Sequence, residues 1–176
     1  MSSADVIWGM SRPSPGGPAA PVAAPPPPAE VLILGVGNLL VGDEGVGVHA
    51  LRALEAETWP AQVHLVDGGT GGFHLLELLG SYPRIILIDA TRDGAAPGTV
   101  SQFRARVAAD FPPALGAHDI GLRDLISAAT LLGPLPEIEV ITVSVTELKP
   151  MTLELSAPVA AALPEVARRV RALLAG

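Results

Sequence analysis

The sequence predicts an α/β protein, a three-layer α/β/α sandwich on a mixed, mostly parallel five-stranded sheet. Three observations predict it. The continuous apolar runs Val31-Leu32-Ile33-Leu34-Gly35-Val36 and Ile85-Ile86-Leu87-Ile88 have the pattern of strands buried on both faces. Segments with helical apolar spacing alternate with such runs along the chain. With 176 residues, 49% of them hydrophobic, the chain can build one sizeable core but not two ordinary ones.

Residues 1–29 are set apart as a disordered Pro/Ala-rich extension, because a composition ending in Pro25-Pro26-Pro27-Pro28 favours extended polyproline II and builds no packed core. Trp8 alone favours docking over a solvated tail. The domain proper is 30–176. Val31 to Val36 is the first central strand. Glu44 to about Glu57 places Val48, Leu51 and Leu54 at helical spacing and stops before Pro60. Val63 to Val66 is a second strand, Phe73 to Leu79 a short helix closed by Gly80, and Arg84 to Asp89 a third strand. Thr99 to Val107 reads as a fourth. The link Asp93-Gly94-Ala95-Ala96-Pro97-Gly98 is too short for the crossover of a parallel neighbour, so this strand is expected antiparallel. Asp119 to about Leu132 is helical and Ile138 to Val145 a strand. Pro158 to Leu174 is helical again, with Ser156 a candidate N-cap and Pro164 a kink or break.

Composition narrows the function. Aromatics are 3% of residues, too few for base-stacking platforms, and eleven scattered Lys and Arg at a net charge of −7 do not neutralise a phosphate backbone. Nucleic acid is not the expected partner. The absence of cysteine removes disulfides, thiolate metal sites and a Cys nucleophile together. No stretch approaches the roughly 18 apolar residues of a membrane helix. The first residues lack a charged region followed by an uninterrupted apolar one, so the expected location is the cytoplasm and a membrane is not an expected partner.

In open α/β sheets functional groups gather beyond the carboxyl ends of the strands. The loop after the first strand, Gly35-Val36-Gly37-Asn38-Leu39-Leu40-Val41-Gly42-Asp43-Glu44-Gly45-Val46-Gly47, fails the dinucleotide fingerprint at Leu40 and lacks the Lys-Ser/Thr of a P-loop. It delivers Asp43 and Glu44 to the rim at a helix start, where they serve either as first-turn charges or as site groups. Asp89 ends an apolar strand, so its carboxylate must be solvated, hydrogen-bonded in a turn or bound to a cation. His118 stands on the approach to a helix, as a surface residue or a ligand. Taken together, Glu44, Asp89 and His118 share one end of the sheet, and two carboxylates with an imidazole suit a divalent transition metal. His49 falls one turn into the first helix, and His64 and His74 read as surface residues. Asp67-Gly68-Gly69-Thr70-Gly71-Gly72 reaches the same rim, either as a flexible turn or as bare N–H groups for an incoming chain. The chain has no GxSxG elbow and no HExxH helix, so a hydrolase here would rely on metal chemistry.

These motifs, in this order, resemble the hydrogenase maturation endopeptidases. The resemblance rests on Gly35-x-Gly37-Asn38-x-Leu40-x-x-Asp43-Glu44-Gly45-x-Gly47, Asp67-Gly68-Gly69-Thr70, Asp89-Ala90 and His118 before Gly121-Leu122. It covers about residue 30 to the end. It implies a phosphorylase/hydrolase-like fold and an aspartic-type endopeptidase. The implied partner is a nickel-loaded [NiFe] hydrogenase large subunit precursor whose C-terminal peptide is removed. Glu44, Asp89 and His118 match the nickel-contacting residues, with the nickel supplied by the substrate and cadmium or zinc as surrogates. Asp43 would orient Glu44 or assist with protons, and Asp67 matches a further acid. A monomer is expected. A non-catalytic nickel-checking chaperone and a general metal-dependent peptidase are the competing readings. Val143-Ser144-Val145-Thr146-Glu147-Leu148-Lys149-Pro150 departs from the family's Gly-x-x-Pro segment, and the N-terminal extension lies outside its pattern.

Overall fold

The computed structural model describes residues 30–72, 74–110 and 122–176. The extension at 1–29 with Trp8, Phe73 and the loop carrying His118 lie outside those residues. Five strands form one sheet: β1 (Val31–Gly35), β2 (Val63–Asp67), β3 (Arg84–Thr91), β4 (Val100–Ala105) and β5 (Glu137–Ser144), in the spatial order β2-β1-β3-β5-β4. All neighbouring pairs are parallel except β4 with β5. The short link after β3 therefore has the expected consequence, an antiparallel edge strand. β5, the last strand in sequence, inserts between β3 and β4.

Period-two alternation assigns the apolar residues to two layers. Leu32, Leu34, Ile85, Leu87, Ile138 and Val140 pack with α2 (His74–Ser81) and α3 (Leu122–Leu132). Ile33, Ile86, Ile88, Ile141 and Val143 pack with α1 (Val46–Glu55), α4 (Ala157–Ala160) and α5 (Leu163–Ala175) on the other face. The sandwich is thus three-layered, and the near-total burial of Leu32–Leu34 and Ile85–Ile88 explains why these strands read as unbroken apolar runs.

Several features differ from expectation for local reasons, and the third strand does not end at Asp89 but continues to Thr91, held by its pairing with β5. The first helix does not begin at Glu44. Residues Gly42–Gly45 form a 3-10 turn and α1 starts at Val46. α2 runs through Gly80 to Ser81, whose hydroxyl donates to the Glu77 carbonyl (2.7 Å). The last helical segment breaks at Ala161–Ala162 rather than at Pro164. Pro164 sits in the first turn of α5, where its missing N–H costs nothing. Ser156 precedes α4 but makes no side-chain capping bond; its hydroxyl instead donates to Asp43.

Candidate functional site

Successive strands are added on opposite sides of β1, β2 on one and β3 on the other, and the candidate site lies beyond the carboxyl ends of β1 and β3. Gly35 is opposite Ile88, so Asp89, Ala90 and Thr91 run past the end of β1 while still paired with Thr142, Val143 and Ser144 of β5. Asp89 therefore stands in a notch, flanked by a strand on one side and by the loop after β1 on the other. α1 seats its first turn directly on this edge. A Cβ at Gly47 would collide with the carbonyl oxygens of Val36 and Ile88, and one at Gly37, where φ is +148°, with that of Glu44. Two missing side chains thus let the 3-10 turn fold tightly onto the strand ends and bring Glu44 inward.

The structure brings two of the predicted site residues together. Asp89 is 1% exposed and Glu44 6%, both unusual for carboxyl groups. Oδ1 of Asp89 accepts the Ala90 N–H (2.7 Å), while Oδ2 has no hydrogen-bond partner among the described residues. Burial drives the Asp89 pKa up to about 8, the Ala90 N–H partly opposes this, and the charge of Glu44 adds to the rise. Burial thus favours the neutral, protonated form of Asp89. Among the described residues no three His, Cys, Asp or Glu side chains are close enough to hold a metal ion. The third predicted ligand, His118, lies outside them.

Asp43 has a different partner. Its carboxylate accepts the Ser156 N–H on Oδ1 (2.6 Å) and the Ser156 hydroxyl on Oδ2 (2.8 Å), which ties the turn before α1 to the segment before α4. Asp43 holds the backbone that carries Glu44. Nothing in the local sequence announced Ser156, because the two residues are 113 positions apart. Ser156→Ala should cost roughly 1–2 kcal/mol, read as a lower urea midpoint at unchanged m. Asp67 closes its own turn, accepting the Gly69 N–H on Oδ1 (2.8 Å). His49 is on α1 as expected, and its Nε2–H donates to the Leu153 carbonyl (3.0 Å). His64 and His74 are exposed, and His64 pairs with the Tyr82 hydroxyl (3.0 Å). A cavity of about 350 Å³ adjoins Asp43 and Ser156 and is also lined by Gly42, Glu147, Lys149 and Glu154.

A family model described as hydrogenase maturation protease matches residues 48–172. The hydrogenase expression/formation protein HupD of Rhizobium leguminosarum bv. viciae is 35% identical over 148 residues, covering 80% of this chain and 71% of that protein. HupD of Rhodobacter capsulatus is 41% identical over 115 residues, covering 62% of this chain and 53% of its own. The solved structure of the hydrogenase maturating endopeptidase HybD from Escherichia coli superposes with a TM-score of 0.75 at 34% identity, covering 82% of this chain and 91% of that one. This chain belongs to the hydrogenase maturation protease family.

The chain spans between half and seven tenths of the two curated HupD proteins it matches. The family model takes in Asp89 and Ser156, while Asp43 and Glu44 stand just ahead of its first matched residue. No helix among the described residues is long and apolar enough to cross a membrane. The α/β architecture read from the strand pattern is the maturation-protease fold.

Proposed function

We propose that this protein is the endopeptidase that removes the C-terminal peptide of a nickel-loaded [NiFe] hydrogenase large subunit precursor, with the precursor's own nickel as the recognition element. The observation that carries the proposal is the buried carboxyl of Asp89, one oxygen unbonded among the described residues, beside the buried carboxyl of Glu44. Two acids in a low-dielectric notch repel each other unless a proton or a cation separates them. A divalent ion on an incoming protein supplies that cation, and His118 would complete an acid-acid-imidazole set suited to nickel. The same set would accept cadmium or zinc in its place.

The division of labour follows from burial. Asp89 gives up its proton as the cation arrives, and Glu44 then changes from a repulsive neighbour into a second ligand. Asp43, anchored on Ser156, keeps the turn bearing Glu44 in position. A precursor held through its metal presents a nearby peptide bond repeatedly to the same groups. The cation can polarise the scissile carbonyl or acidify a water, so an aspartic-type site without a Ser or Cys nucleophile suffices. We assign the reaction to the cytoplasm and to a monomer.

Incubation of the purified protein with nickel-loaded precursor should shorten the large subunit by one C-terminal peptide in mass spectra. Nickel-free precursor should remain intact. His118→Ala should slow processing at least roughly 100-fold, the scale of a lost metal ligand, with an unchanged far-UV spectrum. Cleavage that ignores nickel would overturn the recognition role. Stable binding of loaded precursor without trimming would transfer the protein to the reading of a nickel-checking chaperone.

A further inference from the structure

The loop after β1 and the segment before α4 meet at the rim beside Glu44 and leave three large apolar side chains in solvent. Leu40 is 57% exposed, Met151 88% and Leu153 56%. They do not belong to a loose loop. Gly42 N–H donates to the Thr152 carbonyl (2.7 Å), Thr152 N–H to the Leu40 carbonyl (3.3 Å), and Val41 and Thr152 form a parallel bridge. His49 holds the Leu153 carbonyl and Asp43 holds Ser156. The segment also buries its own anchors, because Leu148 and Leu155 pack against the core layer under α1 and α5. It hides two apolar residues, then, and displays two others on a braced support.

Met151 adopts φ +60°, the one positive φ among the described non-glycine residues. A side chain in the left-handed region is strained, and glycine would occupy the position without that strain. Strain and an exposed apolar group at the same residue both oppose the isolated fold, and such devices gather at binding rims. The support is continuous with the candidate site, since Leu40, Gly42, Asp43 and Glu44 belong to one loop. A molecule presented to Glu44 is therefore placed to cover the patch.

We infer that Leu40, Met151 and Leu153 form the docking surface for an apolar stretch of the precursor polypeptide next to its scissile bond. This rests on the function proposed above and adds the substrate feature beyond the metal. Binding energy gathered on this rim, away from the reacting atoms, positions the peptide bond against the notch. The chemistry selected is aliphatic and non-charged, matching two Leu and one Met.

Steady-state processing and direct binding of nickel-loaded precursor by Leu40→Asp, Met151→Asp, Met151→Leu and Met151→Gly test it. The Asp variants should raise KM at least roughly tenfold, the scale of one lost apolar anchor, and leave kcat within about twofold. Met151→Leu should behave as wild type. Met151→Gly should raise the urea midpoint through relief of the positive φ while still raising KM, a split that a purely structural residue would not produce. Efficient cleavage by every variant at unchanged KM would overturn the docking surface and leave the proposed function standing. If wild type binds precursor without cutting it and the Asp variants lose binding, the surface stands and the endopeptidase reading falls. Failure of wild type to bind or cleave overturns both. A dimer in light scattering that Met151→Asp dissolves identifies the occupant as a second copy and overturns the inference.

Discussion

Asp89→Asn is expected to give a protein that resists urea better than wild type at pH 8 and processes essentially no precursor. The two effects share one cause. In the folded protein Asp89 titrates near pH 8, whereas in the unfolded chain it titrates near its ordinary value of 3.8. Between those values the native state holds a proton that the unfolded state has released. The stabilising contribution is complete below about pH 4 and is lost progressively as pH rises through about 8. A shift of this size corresponds to a loss on the order of 5 kcal/mol across the window. Asparagine carries no such dependence. Its carbonyl oxygen still accepts the Ala90 N–H, but its amide nitrogen inherits the Oδ2 position without a described acceptor, which returns roughly 1–2 kcal/mol. The net expectation is a gain of about 3 kcal/mol at pH 8, shrinking to nothing or reversing near pH 4. Processing should fall at least roughly 100-fold, because the amide neither releases a proton nor accepts a cation with a full charge. Urea titrations at pH 4, 6 and 8, beside mass-spectrometric processing assays, measure both. A variant equally stable to wild type at all three values would remove the claim that the fold tolerates a costly carboxylate for the sake of its chemistry.

Gly47→Ala is expected to be severely damaging for a change that adds a single methyl. The added carbon would overlap the carbonyl oxygens of Val36 and Ile88 and come within 2.8 Å of the Val36 nitrogen, all backbone atoms fixed by the sheet. A flexible side chain could swing away, but strand ends cannot. α1 must lift from the edge, opening the layer packed by Val46, Ala50, Leu51 and Leu54, all fully or almost fully buried. The cost should be about 4 kcal/mol, the range of severe overpacking against rigid neighbours. A substantial fraction of a domain's stability would be lost, and the thermal midpoint should drop by well over about 10 °C. Precursor processing by the surviving folded fraction should fall as well, since the lifted helix carries Glu44 away from Asp89. A midpoint within about 2 °C of wild type would contradict the close approach, on the usual scale of stability to midpoint.

The sheet was legible because parallel strands covered on both faces must be apolar throughout, and Ile85-Ile86-Leu87-Ile88 admits little else. Asp89 and Glu44 were legible by contrast, as charged groups where the apolar pattern stops, although β3 itself continues past Asp89 to Thr91. Asp43 was indistinguishable from Glu44 at that level. Its partner is a serine that approaches only after the whole sheet is assembled, and a one-dimensional pattern holds no trace of it. The start of α1 was misjudged for a related reason. Helical spacing locates Val48, Leu51 and Leu54, but the glycine-flanked turn ahead of them belongs to the strand end it packs against. Pro164 misled because proline breaks a helix from inside and starts one from the first turn, and sequence alone does not say which applies. The exposed trio at the rim had no signature, since Leu40, Met151 and Leu153 look like ordinary core residues until the fold turns them outward.

The late arrival of β5 has a consequence for synthesis. As the chain leaves the ribosome, β1, β2 and β3 can join early, but the outer edge of β3 waits for residues 137–144, and β4 pairs with β5 alone in the finished sheet. A nascent chain halted before that point presents an eight-residue strand edge, with the aliphatic run Ile85-Ile86-Leu87-Ile88 and open backbone groups, the kind of surface that recruits neighbours into aggregates. Closure is then a single late insertion between two waiting strands. The sheet of this maturation-protease chain is therefore completed only by a strand near its far end.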